Sequence, residues 1–143
     1  MNVLFDTSVL VSAVVDQLPR HASALACFFH YTSGEHRGFC TTHALAEAYA
    51  TLTALPLQRR ISPADARRLI EANFTTRLTI LPLIATDYTR ALERVANLRL
   101  TSGIIYDALH LLAAETNACT RLCTYNLAHF TRLQPVNITL SQP

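Results

Sequence analysis

Three acids scattered along this chain, Asp6, Glu47 and Asp107, are of a type that could do chemistry at a phosphate. Carboxylates gathered in one cleft repel each other and resist ionising. A divalent cation removes that penalty, and hard Mg2+ or Mn2+ prefers carboxylate oxygen and water. An ion held this way orients a phosphate, acidifies a bound water and stabilises a leaving oxygen, which is chemistry for cutting a phosphodiester. It needs neither lysine nor cysteine.

Each acid alone also has a plainer reading. Asp6 opens Asp6-Thr7-Ser8, which is good N-cap chemistry. At about 100° per residue, Glu47 falls with His43, Ala50, Thr51 and Ala54, away from the face shared by Leu45, Ala48, Tyr49, Leu52 and Leu55. A lone glutamate there reads as solvated, yet its small, uncharged neighbours suit a site that another segment approaches. Asp107 interrupts the apolar run from Ile104 to Ala114 at the margin of its apolar face, beside Ile104, Leu111 and Ala114. A buried carboxylate without a partner is costly. Its counter-charge is therefore Arg99, Arg121 or a cation from outside the chain.

Composition narrows the field. All twelve basic residues are arginine, so a Walker-type P-loop and Schiff-base chemistry both lack their lysine. The net charge of +2 does not point to nucleic acid by itself. Half the residues are hydrophobic and 15% are charged, which argues against disorder. No apolar run reaches the roughly 18 residues of a spanning helix, and Met1 to Asp6 lacks the basic leader of a signal peptide. The chain is expected to be soluble and cytoplasmic. Cys27, Cys40, Cys119 and Cys123 have no CxxC or zinc-ribbon spacing and read as small buried hydrophobes.

The elements that must position the acids follow from periodicity and punctuation. Val3-Leu4-Phe5 reads as a buried strand stopping at a helix cap. Helices follow from Val9 to Val15 and from His21 to Tyr31, then a loop from Ser33 to Gly38 and a strand from Phe39 to Thr42. A helix from His43 to Leu55 ends at Pro56, and Ser62-Pro63 starts another that runs to Phe74. Leu78 to Leu81 is a third strand. Thr86 caps a helix from Asp87 to Leu98, and Ser102-Gly103 precedes one from Ile104 to Thr116. Arg121 to Tyr125 and Val136 to Leu140 supply the last strands. This alternation predicts an α/β fold, one domain over residues 1–143, with a mostly parallel sheet of roughly four to five strands flanked by helices.

In such a sheet, ligands bind beyond the carboxyl ends of the strands, where strand order reverses. Asp6 follows strand one, Glu47 lies early in the helix after strand two, Asp107 lies in the first turn of its helix, and Asn126 follows strand four. All four fall at one edge. The densest basic cluster is Arg59, Arg60, Arg67 and Arg68, which reads either as a phosphate or acidic-partner contact or as a solvated face.

Four segments together resemble the PIN-domain ribonucleases, and among them the VapC-type toxins of VapBC toxin–antitoxin modules. They are Val3 to Leu10, Thr41 to Glu47, Ser102 to Leu109 and Leu122 to Phe130, whose order and spacing span nearly the whole chain. The resemblance implies a three-layer Rossmann-like fold and a Mg2+- or Mn2+-dependent endoribonuclease acting on single-stranded or looped RNA. It assigns the metal and catalytic acids to Asp6, Glu47 and Asp107, and supporting hydroxyls to Thr7 or Ser8 and Thr124. Asn126 stands where many members carry a fourth acid, which favours one ion over two. His110 and His129 are near enough to touch substrate, but no family motif requires them, so both read as packing or surface residues. A VapB-like antitoxin encoded nearby and a homodimer, which the apolar first helices allow, are the partners the resemblance implies. A phosphoaspartyl phosphatase or a receiver domain fails on the missing lysine. The remaining alternatives are a non-catalytic PIN-fold module that binds RNA or protein, and a housekeeping RNA-processing nuclease.

Overall fold

Val3, Leu4 and Phe5 are wholly buried because β1 (Asn2–Phe5) runs through the middle of a sheet covered on both faces. The computed structural model describes residues 1–143. In chain order it contains β1, α1 (Thr7–Val14), α2 (His21–Tyr31), β2 (Arg37–Thr41), α3 (Thr42–Ala54) and α4 (Pro63–Ile70). A π-helical turn over Glu71–Thr75 continues α4. Then come β3 (Thr79–Leu81), α5 (Ala85–Asn97), α6 (Ile104–Thr116), β4 (Arg121–Cys123), α7 (Leu127–Arg132) and β5 (Thr139–Ser141).

The five strands lie in the order β3-β2-β1-β4-β5, and every pairing is parallel. Side chains alternate between faces along each strand. Val3, Phe5, Cys40 and Cys123 face a core built with α1 to α4. Leu4, Phe39 and Leu122 face a second core built with α5 to α7. These are the three layers expected. The chain builds outward from β1 through β2 to β3, then crosses back to place β4 on the other side of β1. The reversal point therefore lies between β1 and β4, and a crevice opens beyond their carboxyl ends.

Several boundaries differ from the sequence expectation, each for a local reason. The helix expected to be capped by Thr86 starts earlier: Ile84 is its N-cap, and the Ile84 N–H donates to the Asp87 carboxylate at 2.8 Å. Helix α7 was not expected, because six residues with one buried side chain, Phe130, show no periodicity. The fifth strand begins at Thr139 rather than Val136, whose N–H donates instead to Glu115 Oε1 at 2.9 Å. On α3 the buried face is Ala44, Ala48 and Leu52, while Tyr49, expected in the core, is exposed. The apolar residues of α1 pack inside the chain, while α2 leaves Phe29 exposed.

Candidate active site

Asp6 is placed by the end of β1, where its N–H donates to the Cys123 carbonyl of β4 at 2.9 Å. It occupies the N-cap position of α1, yet its side chain makes no capping hydrogen bond. Its Oδ2 accepts instead from Ser8 Oγ at 2.6 Å, Thr124 Oγ1 at 2.8 Å and Asn126 Nδ2 at 3.5 Å. Those hydroxyls are fixed in turn, since the Tyr125 N–H donates to Ser8 Oγ and the Asn126 N–H to Thr124 Oγ1. The capping reading of Asp6 falls away.

Glu47 is not a solvated glutamate. Its Oε1 accepts from His110 Nε2 at 2.6 Å and Thr7 Oγ1 at 3.3 Å, and His43 Nε2 lies 3.7 Å away. Burial by itself would raise the Glu47 pKa, but the hydrogen bond and charge of His110, with His43, outweigh it and hold the group below its ordinary range. His110 is wholly buried and shifts the complementary way. Desolvation would lower its pKa, while the Glu47 hydrogen bond and the charges of Asp6, Glu47 and Asp107 raise it. An imidazolium donates from both nitrogens, which suits Nδ1 at 2.9 Å from Thr41 Oγ1.

Asp107 is buried in the first turn of α6. Its partner is neither Arg99 nor Arg121 but His129 Nδ1, 3.0 Å from Oδ2; Arg121 lies over the Tyr31 ring. Burial first, and the charge of Asp6 second, push the Asp107 carboxyl up to about 6 despite His129. Two acids facing one crevice thus carry a penalty that no cation of the chain cancels.

All three acids line one cleft of about 360 Å³ with Thr7, Ser8, Thr51 and Asn126 on its polar side and Val11, Leu18 and Leu55 on its apolar side. A slightly larger cleft over α5 and α6 holds a single acid, Glu93, and so lacks the chemistry. Protein donors engage Asp6 Oδ2, Glu47 Oε1 and Asp107 Oδ2. The second oxygen of each acid accepts nothing from the protein, and none of the three is sealed from solvent. This all-oxygen donor set suits a hard cation. No three side chains close around one point, so such an ion would complete its shell with water, as Mg2+ commonly does.

The densest basic cluster lies apart from the cleft. Arg67 pairs with Glu71 and Arg68 with Asp65, both exposed, and none of Arg59, Arg60, Arg67 or Arg68 lines the cleft. His110, in contrast, is central where a packing or surface role was expected. Its position one turn from Asp107 was legible, but its partner on α3 was not.

The PIN-domain family model matches residues 3–134. Ribonuclease VapC27 of Mycobacterium tuberculosis is 39% identical over 110 residues, which cover 76% of this chain and 74% of that protein. The fold is similar to that of VapC20 of Mycobacterium tuberculosis, described as a sarcin-ricin loop cleaving toxin. The TM-score is 0.75 at 15% identity, over 94% of this chain and 97% of the other. It is also similar to VapBC2 from Rickettsia felis, solved bound to a DNA fragment from its promoter. There the TM-score is 0.69 at 18% identity, over 99% of this chain and 98% of the other.

Proposed function

The chain belongs to the PIN-domain family, and from that membership we propose that it is a metal-dependent endoribonuclease, the toxin of a type II toxin–antitoxin pair. The observation that carries this reading is the cleft itself. Three carboxylates from three separate elements each anchor one oxygen on protein donors and leave the other open. Residues 1–143 act as one domain in this reading, and the cytoplasm is its setting. No helix is long and apolar enough to cross a membrane.

Asp6 and Asp107 would hold a Mg2+ or Mn2+ ion, directly or through water. When bound, such an ion would neutralise the cleft, polarise the phosphate and make water easier to deprotonate. Glu47, kept ionised and oriented by His110 and Thr7, takes the proton of the attacking water at its open oxygen. Ser8 and Thr124 act through Asp6, whose carboxylate they fix. Asn126 brings no charge; its amide steadies Asp6 and faces the phosphate. In-line attack leaves a 5′-phosphate and a 3′-hydroxyl.

Similarity to VapBC complexes supports a VapB-like antitoxin as partner. The test uses purified protein and total RNA. Cleavage with Mg2+ or Mn2+, its loss in EDTA and its loss in Asp6→Asn and Asp107→Asn are expected. Either ion should also raise the melting temperature of the wild type, by about 2.7 kcal/mol of stability at a hundredfold excess over Kd, and leave Asp6→Asn unmoved. Binding of RNA without cleavage would point instead to a non-catalytic module. Expression alone should slow growth and co-expression with a neighbouring antitoxin should relieve it; no effect in either arm would favour a housekeeping nuclease.

A further inference from the structure

We propose that Tyr106 and His43 form a stacking platform that holds one nucleobase of a single-stranded RNA beside the scissile phosphate. The inference rests on the hydrolase reading above and names how that site grips its substrate. The two rings lie with centroids 5.1 Å apart and planes 22° from parallel. Each stands next to one of the acids: His43 Nε2 is 3.7 Å from Glu47 Oε1, and Tyr106 immediately precedes Asp107. On α3, His43 and Thr51 sit one turn to either side of Glu47, roughly 6 Å away in opposite directions along the axis. Thr51 lines the cleft while His43 and Tyr106 do not, so along α3 the platform stands on the far side of Glu47, at the rim of the site.

Tyr106 is 47% exposed. With one face on His43, the surface it presents is its other face and edge. Gly103 brings no side chain to the Cδ2 edge of the ring, which a Cβ there would contact at 3.8 Å. An exposed aromatic residue alone means little. This one is backed by a second flat ring, which is held by its neighbours in the site, so little side-chain freedom remains to be lost when a base stacks. Unstacked RNA bases are recognised by stacking on tyrosine and histidine, and the contact tolerates any base because every base has a π-face. The bland alternative is that Tyr106 only screens the His43–Glu47 contact from water. A leucine would do that equally well, but it cannot stack.

The experiment therefore compares wild type with Tyr106→Leu on an RNA oligonucleotide and on versions carrying a single abasic ribose at each position around the cut. In the wild type, one abasic position adjoining the cut should lower kcat/KM roughly ten-fold, and in Tyr106→Leu the same lesion should cost less than about two-fold. No penalty in the wild type, or an equal penalty in the variant, overturns the platform. A second arm needs no cleavage: in EDTA, 2-aminopurine placed in an oligouridine should be quenched on binding wild type and far less on binding Tyr106→Leu. Tyr106-dependent quenching without any cleavage would sink the hydrolase reading and leave the platform. Cleavage with neither Tyr106-dependent signal would do the reverse.

Discussion

Burial and the neighbouring charge of Asp6 push the Asp107 carboxyl up to about 6 from its ordinary 3.8. Between those two values the unfolded chain releases a proton that the folded chain keeps. Stability therefore falls as pH rises through that window, and the penalty is fully present at pH 7. Asp107→Asn removes it, so the metal-free variant should unfold at higher urea than wild type at pH 7. After allowance for solvent screening the gain is about 1–2 kcal/mol, and it should vanish near pH 4. The same variant should lose RNA cleavage. His110 tests the other side of the cleft. His110→Ala leaves a cavity and strips Glu47 and Thr41 of a partner, which should cost about 2–4 kcal/mol and lower kcat roughly 10–100-fold. His110→Gln keeps an amide donor and should recover part of both; no recovery would mean that Glu47 does not act through this hydrogen bond.

Each element aims its acid by where it ends or begins. Strand β1 stops at Phe5 with its N–H and C=O ladder paired on both sides, which leaves Asp6 fixed at the crevice. Strand β4 stops at Cys123, and the next three residues turn inward, where Thr124 and Asn126 hold Asp6 and the Tyr125 N–H holds Ser8. Helix α3 buries Ala44, Ala48 and Leu52, and that rotation, rather than the one periodicity suggested, turns Glu47 toward Thr7 and His110. The sheet depends on a close approach at Gly38 in β2. A Cβ there would lie 2.6 Å from Leu78 Cδ2, 2.9 Å from Thr32 Cγ2 and 3.2 Å from Phe5 Cε2. Gly38→Ala should therefore cost about 1–3 kcal/mol in urea unfolding through overpacking. Its activity per folded molecule should stay near wild type, because Gly38 lies near the start of β2, away from the carboxyl end where Thr41 meets His110.

The order of strands across the whole molecule makes one site of residues that lie up to 120 positions apart. Reversal between β1 and β4 opens the crevice, and the two cores on either face hold its walls. Outside the crevice, Ile84, Tyr88 and Leu92 are exposed at four-residue spacing on α5. A homodimer would bury either this stripe or the face of α2 on which Phe29 is exposed, and the first case has a direct test. Leu92→Glu should then reduce the mass measured by light scattering to that of one chain without unfolding it. An unchanged mass would remove α5 from the interface.

Local signals in the sequence determined the alternation of strands and helices, the strand-end position of Asp6 and the common edge of Asp6, Glu47, Asp107 and Asn126. These depend on periodicity and chain order, which are written into neighbouring residues. Tertiary structure alone decided that Asp6 is gripped rather than capping, that His129 rather than an arginine meets Asp107, and that His110 orients Glu47 from 63 residues away. A hydrogen bond of that kind depends on how two helices cross and which rotamers fit between them. Neither is encoded in the spacing along the chain, so the three acids could be read from the sequence while the partners that tune them could not.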